Sequence, residues 1–185
     1  MILSILIPTL HKRSGMLSVL MKELNKQRTN DIEIITYIDD GQVATGRKRN
    51  DLIKQATGDY VVFIDDDDMV APTYIADILE AAIKKPDCIT YRGWMETDKQ
   101  FRTEFRLSIN YPYATGTHNG SQIYFRYPNH ITPIRRDIAN KVLFPNVTIG
   151  EDYIWATEIH KQSLLKTEVH IPKQLYYYQY RTVKP

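Results

Sequence analysis

Cysteine is nearly absent from this chain, whose 185 residues include a single one, Cys88. One thiol cannot form an internal disulfide or a cysteine-based zinc site, which excludes the disulfide-stabilised secreted domains and the zinc-finger classes. A long apolar run is also missing, because the apolar residues 1–7 end at Pro8 and a membrane span needs about 20. We therefore expect no transmembrane segment or signal peptide, and a reducing, cytoplasmic location.

An excess of charge of one sign is missing as well. The formal net charge is +2, which gives no strong indication of binding to nucleic acid or to a membrane surface. Basic residues nevertheless cluster at positions 12–13, 47–49 and 135–136. With 43% hydrophobic and 25% charged residues, and with neither repeats nor low-complexity segments, residues 1–185 have the composition of one compact domain with a substantial core.

The first half of the chain alternates between apolar runs and helical periodicity. The pattern predicts strands at 2–7, 32–38, 60–64 and 88–91, and helices at 14–27, 45–57 and 72–85. Such alternation indicates an α/β, Rossmann-like fold with a mostly parallel central sheet flanked by helices. In these sheets ligands bind beyond the carboxyl ends of the strands. Those ends carry Pro8-Thr9, Asp39-Asp40 and the acidic run 65–68.

The pattern changes after residue 92 to short, aromatic-rich segments. Residues 101–107 and 122–127 are predicted strands, separated by a mobile loop at 110–120 that is rich in Gly, Asn and Pro. We expect them to form a small added antiparallel section. Helices are predicted at 134–142 and 153–162, and an aromatic strand at 175–180.

The acidic run 65–68 follows a buried strand directly, where strand propensity does not favour aspartate. Crowding four carboxylates costs stability, and a divalent cation with phosphate oxygens would offset that cost. The alternative is a solvated acidic loop. A calcium loop of the EF-hand kind is excluded, because its sixth and twelfth positions, counted from Asp65, hold Val70 and Ala76 instead of Gly and Glu.

Several landmarks occur together in a specific order. They are residues 4–9 (SILIPT), 38–41 (IDDG), 46–50 (GRKRN), 56–60 (ATGDY), the Asp-x-Asp run at 65–68 and 150–153 (GEDY). In this order and spacing the chain resembles glycosyltransferase family 2, the inverting transferases of the GT-A fold that use nucleotide sugars. The resemblance implies that residues 1–91 form the nucleotide-sugar-binding half and residues 92–185 the acceptor-binding half.

The resemblance also implies a donor site. In similar enzymes the first two strand ends hold uracil and ribose, which here indicates Pro8, Thr9 and Asp39; an aspartate can accept a hydrogen bond from the pyrimidine imide. The alternative for Asp39 and Asp40 is a turn pair. Arg49 and Asn50 match the Arg-Asn pair of the family. Arg47 and Lys48 either meet phosphate at a helix N-terminus or are solvated.

Metal binding is expected at the acidic run 65–68. By resemblance Asp65 and Asp67 are the paired carboxylates that bind Mn2+ or Mg2+, with Asp67 the direct ligand and Asp65 or Asp66 nearer the ribose or sugar. Similar enzymes often add a histidine near the C-terminus, but this chain has Arg181 there. His130 and His170 are candidate substitutes for that ligand, or structural residues.

Catalysis is assigned by resemblance to the pair Glu151-Asp152. Asp152 would act as the general base on the acceptor hydroxyl, and Glu151 would orient the acceptor or the loop. The alternative is that two acids at a helix N-terminus serve only the cap and the dipole. Tyr153 and Trp155 either contact the acceptor or, for Trp155, belong to the core.

The predicted activity is transfer of a sugar, with inversion, from a UDP-sugar to a hydroxyl acceptor. The acceptor is a glycan or another hydroxyl compound, and a modified base in DNA stays open because of the basic clusters. A nucleotidyltransferase would need a glycine-rich loop after the first strand, and residues 8–12 contain no glycine. A noncatalytic nucleotide-sugar, glycan or nucleic-acid binding module is the alternative from another class.

Overall fold

The predicted alternation of strands and helices is confirmed by a computed structural model, which describes residues 1–98 and 100–180. The described strands are β1 (Leu3–Leu10), β2 (Ile32–Asp39), β3 (Tyr60–Phe63), β4 (Met69–Val70), β5 (Cys88–Thr97), β6 (Phe101–Leu107), β7 (Ala114–His118), β8 (Ser121–Arg126), β9 (Ile134–Arg135) and β10 (Glu168–Tyr180). The described helices are α1 (Ser14–Lys26), α2 (Thr45–Gln55), α3 (Tyr74–Ala82), α4 (Arg136–Ala139) and α5 (Glu151–Lys161).

The parallel part of the sheet is centred on β1. β1 pairs in parallel with β2 on one side and with β3 on the other, so the carboxyl ends of all three strands lie at one edge. The two-residue strand β9 runs antiparallel to β3 and to β5 and so connects them. β10 then runs parallel to β5 and antiparallel to β4, which brings the last strand beside the residues that follow β3.

The predicted added section is an extension of the same sheet. β5 and β6 form an antiparallel hairpin, β8 pairs in parallel with β6, and β7 pairs antiparallel with β8. The prediction of an irregular loop at 110–120 was wrong in part, because β7 lies inside it. Gly116 of β7 lies beside the ring of Phe125 on β8, so tertiary pairing orders a stretch whose composition is typical of loops.

Both faces of β1 are buried, which explains its nearly continuous apolar sequence. Leu3, Ile5 and Ile7 pack in a cluster with α1 and α3, whereas Leu6 packs in a second cluster with α2 and α5. Successive side chains of a strand point to opposite faces, so alternate residues join different clusters. The helices therefore cover the two faces and leave the carboxyl edge open.

The predicted end of β1 at Pro8 was wrong, because the strand continues and pairs Leu10 with Asp39. Tyr60 N donates to Ile2 O and Ile64 N donates to Leu6 O, so the even-numbered residues of β1 face β3. Pro8 also faces that side, but β3 ends at Phe63 opposite Leu6. The missing N–H of proline therefore costs no sheet hydrogen bond.

Other boundaries also differ from the prediction. The predicted helix at 134–142 is the short helix α4 preceded by β9, because Ile134 pairs with Val61 and Cys88 and fills the space between β3 and β5. α5 begins two residues earlier than predicted, since Gly150 adopts φ of 79° and turns the chain into the helix at Glu151. β10 begins at Glu168, ahead of its aromatic segment.

No helix among the described residues is long and apolar enough to cross a membrane.

Glu33 of β2 joins β1 to the turn before β3. Its Oε1 accepts hydrogen bonds from Ser4 Oγ (2.6 Å), Thr57 N (2.6 Å) and Thr57 Oγ1 (2.9 Å). Desolvation is the largest influence on this carboxyl and raises its pKa, but the hydrogen bonds outweigh it and the pKa is lowered from the ordinary 4.5.

We expect Glu33→Gln to lower the free energy of unfolding by about 1 kcal/mol at pH 7, because amide oxygen accepts these bonds more weakly. A carboxyl whose pKa is lower in the folded state stabilises the fold at pH values above its unfolded pKa. The difference in the free energy of unfolding between wild type and Glu33→Gln should therefore be largest above pH 4.5 and should vanish as the pH falls through the folded pKa of Glu33. Urea unfolding at pH steps from 3 to 7 measures it. A difference that is the same at every pH would contradict the assignment.

Gly46 marks a close contact between α2 and the loop that leads to α5. A Cβ at this position would lie 1.9 Å from Pro145 O, and Gly46 N donates to Val147 O at 3.0 Å. Gly15 in α1 is a matched control, because a Cβ there meets no atom within 4 Å.

We expect Gly46→Ala to destabilise the protein by about 2 kcal/mol or more, because backbone must move to admit the methyl group. Gly15→Ala should be neutral or stabilising by up to about 1 kcal/mol through helix propensity. Urea unfolding of both variants measures the difference. Equal stability of the two variants would show that the contact at Pro145 is not tight.

Candidate active site

The carboxyl ends of β1, β2 and β3 are tied together by side chains. Thr9 Oγ1 at the end of β1 donates to Asp66 Oδ2 in the acidic run. Lys48 Nζ donates to Thr9 O at 3.0 Å and to Asp39 Oδ1 at the end of β2. Desolvation acts to raise the pKa of Asp39, but the bonds from Lys48 and from Val43 N lower it overall. The structure therefore brings Thr9, Asp39 and the acidic run to one place.

Lys48 lies deeper than the sequence indicated. It is 4% exposed and its ammonium group lies 6.0 Å from the centre of the Tyr37 ring, whereas Arg47 is exposed and paired with Asp51 at 2.9 Å. The alternative of a solvated side chain thus holds for Arg47 and is wrong for Lys48. Helix α2 thus directs Arg47 to the solvent and both Lys48 and Arg49 to the sheet edge.

The four aspartates of the run differ in exposure. The side chains of Asp65 and Asp67 are 27% and 21% exposed, whereas Asp66 and Asp68 are each 1% exposed. Asp68 accepts hydrogen bonds from Tyr176 Oη (2.7 Å) and Gln179 N (2.7 Å) of β10. Desolvation raises the pKa of Asp68 well above its usual range, and the neighbouring Asp65 charge adds to this. Asp68 therefore anchors the run to β10.

Arg13 caps the outer side of the run. Its Nη2 lies 2.8 Å from Asp66 Oδ1 and 2.6 Å from Asp67 Oδ2. The residue stands in a single 3-10 turn, His11–Arg13, between β1 and α1. Sequence reasoning grouped it with Lys12 as a basic cluster and missed its contact with the run, although a basic residue just beyond the end of β1 was the available signal.

Arg49 is the buried centre of the site. It is 2% exposed, its Nη2 donates to Asp65 Oδ1 at 2.9 Å, and its Nε donates to Glu151 Oε1 at 3.2 Å. Its guanidinium also lies 4.9 Å from the centre of the Phe63 ring. Desolvation raises the pKa of Glu151 even though Arg49 lowers it. One side chain from α2 thus connects the strand tip with the start of α5.

His130 makes a second connection between the same two elements. Its Nδ1 lies 3.2 Å from Asp152 Oδ2 and its Nε2 lies 3.6 Å from Asp65 Oδ2. Among the described residues neither ring nitrogen makes a hydrogen bond of good geometry, so these contacts are ion pairs. Burial and the Arg49 charge act to lower the pKa of His130, but the carboxylates raise it to about 9.

Asp152 is ionised and partly accessible. Its side chain is 37% exposed. Desolvation acts to raise its pKa, but His130 and then Arg49 lower it to about 2. Both predicted acids lie in the first turn of α5, as the capping alternative requires, yet each also faces a buried cation from another element. A helix cap alone does not explain those partners.

The remaining predicted donor residues have structural partners. Asn50 Nδ2 donates to Phe144 O and its Oδ1 accepts from Phe144 N, both at 2.9 Å, so the amide holds the segment before α5. Pro8 pairs with Tyr37 inside the sheet. The assignment of both residues to donor binding stays a prediction.

Aromatic residues from the second half of the chain pack around Tyr153, which follows Asp152 in α5. Tyr153 is half-exposed, with its ring centre 5.2 Å from that of Tyr113, which in turn lies 5.5 Å from Tyr127. Trp155 is buried, stacks on Phe144 at 4.5 Å and donates from Nε1 to Val142 O. Trp155 therefore belongs to the core, and Tyr153 is exposed.

The candidate histidine ligands lie in different places. His170 contacts Thr90 Oγ1 at 3.1 Å near the beginning of β10, whereas the aspartates meet the end of that strand. His170 is therefore not part of the site. Arg181, at the position where a histidine was expected, lies outside the described residues.

The site lacks a complete protein cage for a metal. Among residues 1–98 and 100–180, no group of three or more His, Cys, Asp or Glu side chains is arranged to hold a metal ion. Mg2+ commonly uses one or two protein carboxylates when substrate phosphates supply further ligands. The partly exposed Asp65 and Asp67 fit a cation of this kind, shared with a phosphate-bearing ligand, and Asp65 already faces Arg49 and His130.

Comparison with solved structures gives the fold. S. aureus TarS 1-349 in complex with UDP-GlcNAc matches with a TM-score of 0.72 and 17% identity, over 100% of this chain and 60% of that one. The same protein in complex with UDP matches with a TM-score of 0.71 and 17% identity, over 97% of this chain and 60% of that one. The bifunctional IspDF from Campylobacter jejuni matches with a TM-score of 0.51 and 10% identity, over 94% of this chain and 50% of that one. The GT-A-type α/β fold predicted from the sequence is thereby confirmed.

Comparison of sequences gives the family. This chain spans 60% or less of the length of each of these structures. None of the curated proteins matches it. The sequence model of "Glycosyl transferase family 2" matches residues 42–143, which include Arg49 and the acidic run and end before Asp152. Because that match covers more than half of the sequence, the chain belongs to glycosyl transferase family 2.

Proposed function

We propose that this chain is a metal-dependent, inverting glycosyltransferase that transfers a sugar from a UDP-sugar to a hydroxyl acceptor, with Asp152 as the general base. The observation that carries the proposal is the pair of buried cations, Arg49 and His130, that hold the ionised Asp152 in one network with Asp65 at the strand tips. Such a network places a proton acceptor beside the edge where ligands of parallel sheets bind.

A uridine donor is supported by two observations. TarS 1-349, which shares the fold of this chain, forms complexes with UDP and with UDP-GlcNAc. Thr9 and Asp39 lie at neighbouring strand ends, joined through Lys48, and an aspartate can accept the imide N–H of uracil. In the proposal these residues hold the base and ribose, and Asp66 lies next to them through its bond with Thr9.

Asp67 and Asp65 would hold Mn2+ or Mg2+, with Asp67 the direct ligand because both oxygens of Asp65 already face cationic side chains. A bound divalent cation supplies positive charge that stabilises the departing diphosphate. Oxygens of that diphosphate and water would complete the coordination, since the residues that the structure describes include no group of three or more His, Cys, Asp or Glu side chains arranged to hold a metal ion.

Asp152 performs the proton transfer. Its pKa of about 2 leaves the carboxylate ionised at neutral pH. It accepts the proton of the acceptor hydroxyl as the new bond forms, because that proton becomes acidic only in the transition state. The acceptor oxygen forms a bond to the anomeric carbon as the bond from that carbon to the diphosphate oxygen breaks on the opposite side, which inverts the configuration. Glu151 positions this end of α5 through Arg49.

The second half of the chain, residues 92–185, provides the acceptor side in this proposal. Tyr153 and Tyr113 form an exposed aromatic surface beside Asp152, which fits a glycan or another hydroxyl compound. A DNA acceptor is less well supported, because Arg135 is paired with Asp87 and Asp137, and Arg136 donates to Gly58 O. The lone, buried Cys88 suits the cytoplasm.

Asp152→Asn should retain donor affinity within about threefold and lose turnover by about 100-fold or more, because the amide cannot accept the proton. Release of UDP from UDP-GlcNAc in the presence of Mn2+ gives an assay that needs no identified acceptor, and UDP titration gives the affinity. Glu158→Gln removes a carboxylate from the same helix and should behave as wild type. Normal turnover of Asp152→Asn would show that Asp152 is not the general base. Absence of turnover in wild type would favour the noncatalytic binding module.

Asp67→Asn should abolish the increase in UDP affinity that Mn2+ produces while leaving the fold intact, because an amide is a poorer ligand than a carboxylate for a hard cation. A thermal-shift screen measures it, since a ligand at 100 times its Kd stabilises by about 2.7 kcal/mol. Asp137→Asn is the control, because Asp137 is also a partly exposed carboxylate paired with an arginine. Unchanged Mn2+-dependent affinity in Asp67→Asn would refute the metal assignment.

A further inference from the structure

Arg13 is the cation that contacts the two central aspartates of the acidic run, Asp66 and Asp67. The first and last aspartates of the run have partners of their own, since Asp65 faces Arg49 and His130, and Asp68 accepts from β10. Asp66 and Asp67 are bridged by the single Nη2 of Arg13, at 2.8 and 2.6 Å. Arg13 is therefore the counter-ion of this carboxylate pair.

The position of Arg13 allows its side chain to move. It lies in the one-turn segment between β1 and α1, outside both regular elements, and its side chain is 31% exposed. Its Nε is buried and makes no hydrogen bond with any residue that the structure describes. Because this Nε is shielded from solvent, it reaches a new acceptor only when the side chain moves. Asp66, 1% exposed and bonded to Thr9, is a fixed point beside it.

Arg13 contacts the same carboxylate that is proposed to bind the metal. A guanidinium 2.6 Å from Asp67 Oδ2 and a divalent cation on Asp67 would repel each other, so the two cannot both be held closely. A nucleotide diphosphate changes this balance, because it brings negative oxygens that a planar guanidinium binds well. The arrangement is suited to an exchange of partners.

We propose that Arg13 is a diphosphate-binding residue that exchanges partners when the donor binds. In the ligand-free protein it bridges Asp66 and Asp67 and competes with the cation. When nucleotide and cation arrive together, Asp67 passes to the cation and the guanidinium turns to the diphosphate while it stays next to Asp66. This inference rests on the proposed metal and nucleotide site at the strand tips, and it makes nucleotide a requirement for tight cation binding.

The experiment compares Arg13→Gln with Arg135→Gln. Arg135 is a matched control, because it also bridges two aspartates, Asp87 and Asp137, and its loss changes the net charge by the same amount. Two affinities are measured for each protein. The affinity for Mn2+ without nucleotide is measured from the free Mn2+ signal in electron paramagnetic resonance. The affinity for UDP at saturating Mn2+ is measured by isothermal titration calorimetry.

Arg13→Gln should bind Mn2+ about tenfold more tightly than wild type without nucleotide, because the competing cation is gone, and should bind UDP about tenfold more weakly at saturating Mn2+, because a diphosphate contact is lost. Loss of one positive charge beside Asp66 and Asp67 would by itself shift the two affinities in these directions, so the charge-conserving variant Arg13→Lys separates exchange from a general charge effect. Arg135→Gln should match wild type in both affinities.

Arg13→Lys tests the same point if Arg13→Gln does not fold. A lysine keeps the charge, and its single Nζ can bridge both carboxylates as Nη2 of Arg13 does, but it lacks the planar fork that binds a diphosphate. Its Mn2+ affinity should therefore stay near that of wild type, while its UDP affinity should fall toward that of Arg13→Gln. An unchanged UDP affinity in both Arg13 variants, or changes of the same sign in Arg13→Gln, would overturn the exchange while wild type still shows Mn2+-dependent UDP binding. If Mn2+ does not increase the UDP affinity of wild type, the proposed function is overturned and the exchange is overturned with it.

Discussion

The buried guanidinium of Arg49 is the interaction on which the site depends. It is 2% exposed and lies between Asp65, which follows β3, and Glu151, which begins α5. A buried charge carries a large desolvation cost, so it is tolerated only when its partners are in place, and removing one partner of such a pair is strongly destabilising. The strand tip and the start of α5 therefore hold each other in position, although 86 residues of sequence separate Asp65 from Glu151.

The same network sets the chemical states of the acids. Arg49 and His130 are both cationic, and together they face Asp65, Glu151 and Asp152. Asp152 is kept ionised with a pKa of about 2, whereas burial raises the pKa of Glu151 even though Arg49 opposes this. Adjacent acids in one helical turn thus acquire different properties, because burial dominates at Glu151 whereas His130 and Arg49 outweigh it at Asp152. Asp152, at 37% exposure, combines an ionised carboxylate with access for a substrate.

The sequence was sufficient to predict the strand and helix order through β5, apart from the two-residue strand β4, and the gathering of polar residues at one edge. Both follow from local periodicity and from the geometry of parallel strands. It could not indicate that His130 pairs with Asp152, that Lys48 is buried, or that β9 lies between β3 and β5, because these depend on contacts between residues distant in the chain. β7 was missed for the same reason: its pairing with β8 orders a glycine-containing stretch.

Four identical residues in a row illustrate the limit of sequence reasoning most clearly. Asp65 is held by α2 and His130, Asp66 by Thr9 of β1, Asp67 by Arg13, and Asp68 by Tyr176 of β10. Each aspartate thus has a partner from a different element, and burial raises the pKa of Asp66 and Asp68, which lowers the repulsion among the four acids. The partners of Asp65, Asp66 and Asp68 are buried, whereas Arg13 stands in a partly exposed turn. The carboxylate free to change partners is therefore Asp67, and the other three give it a rigid surrounding.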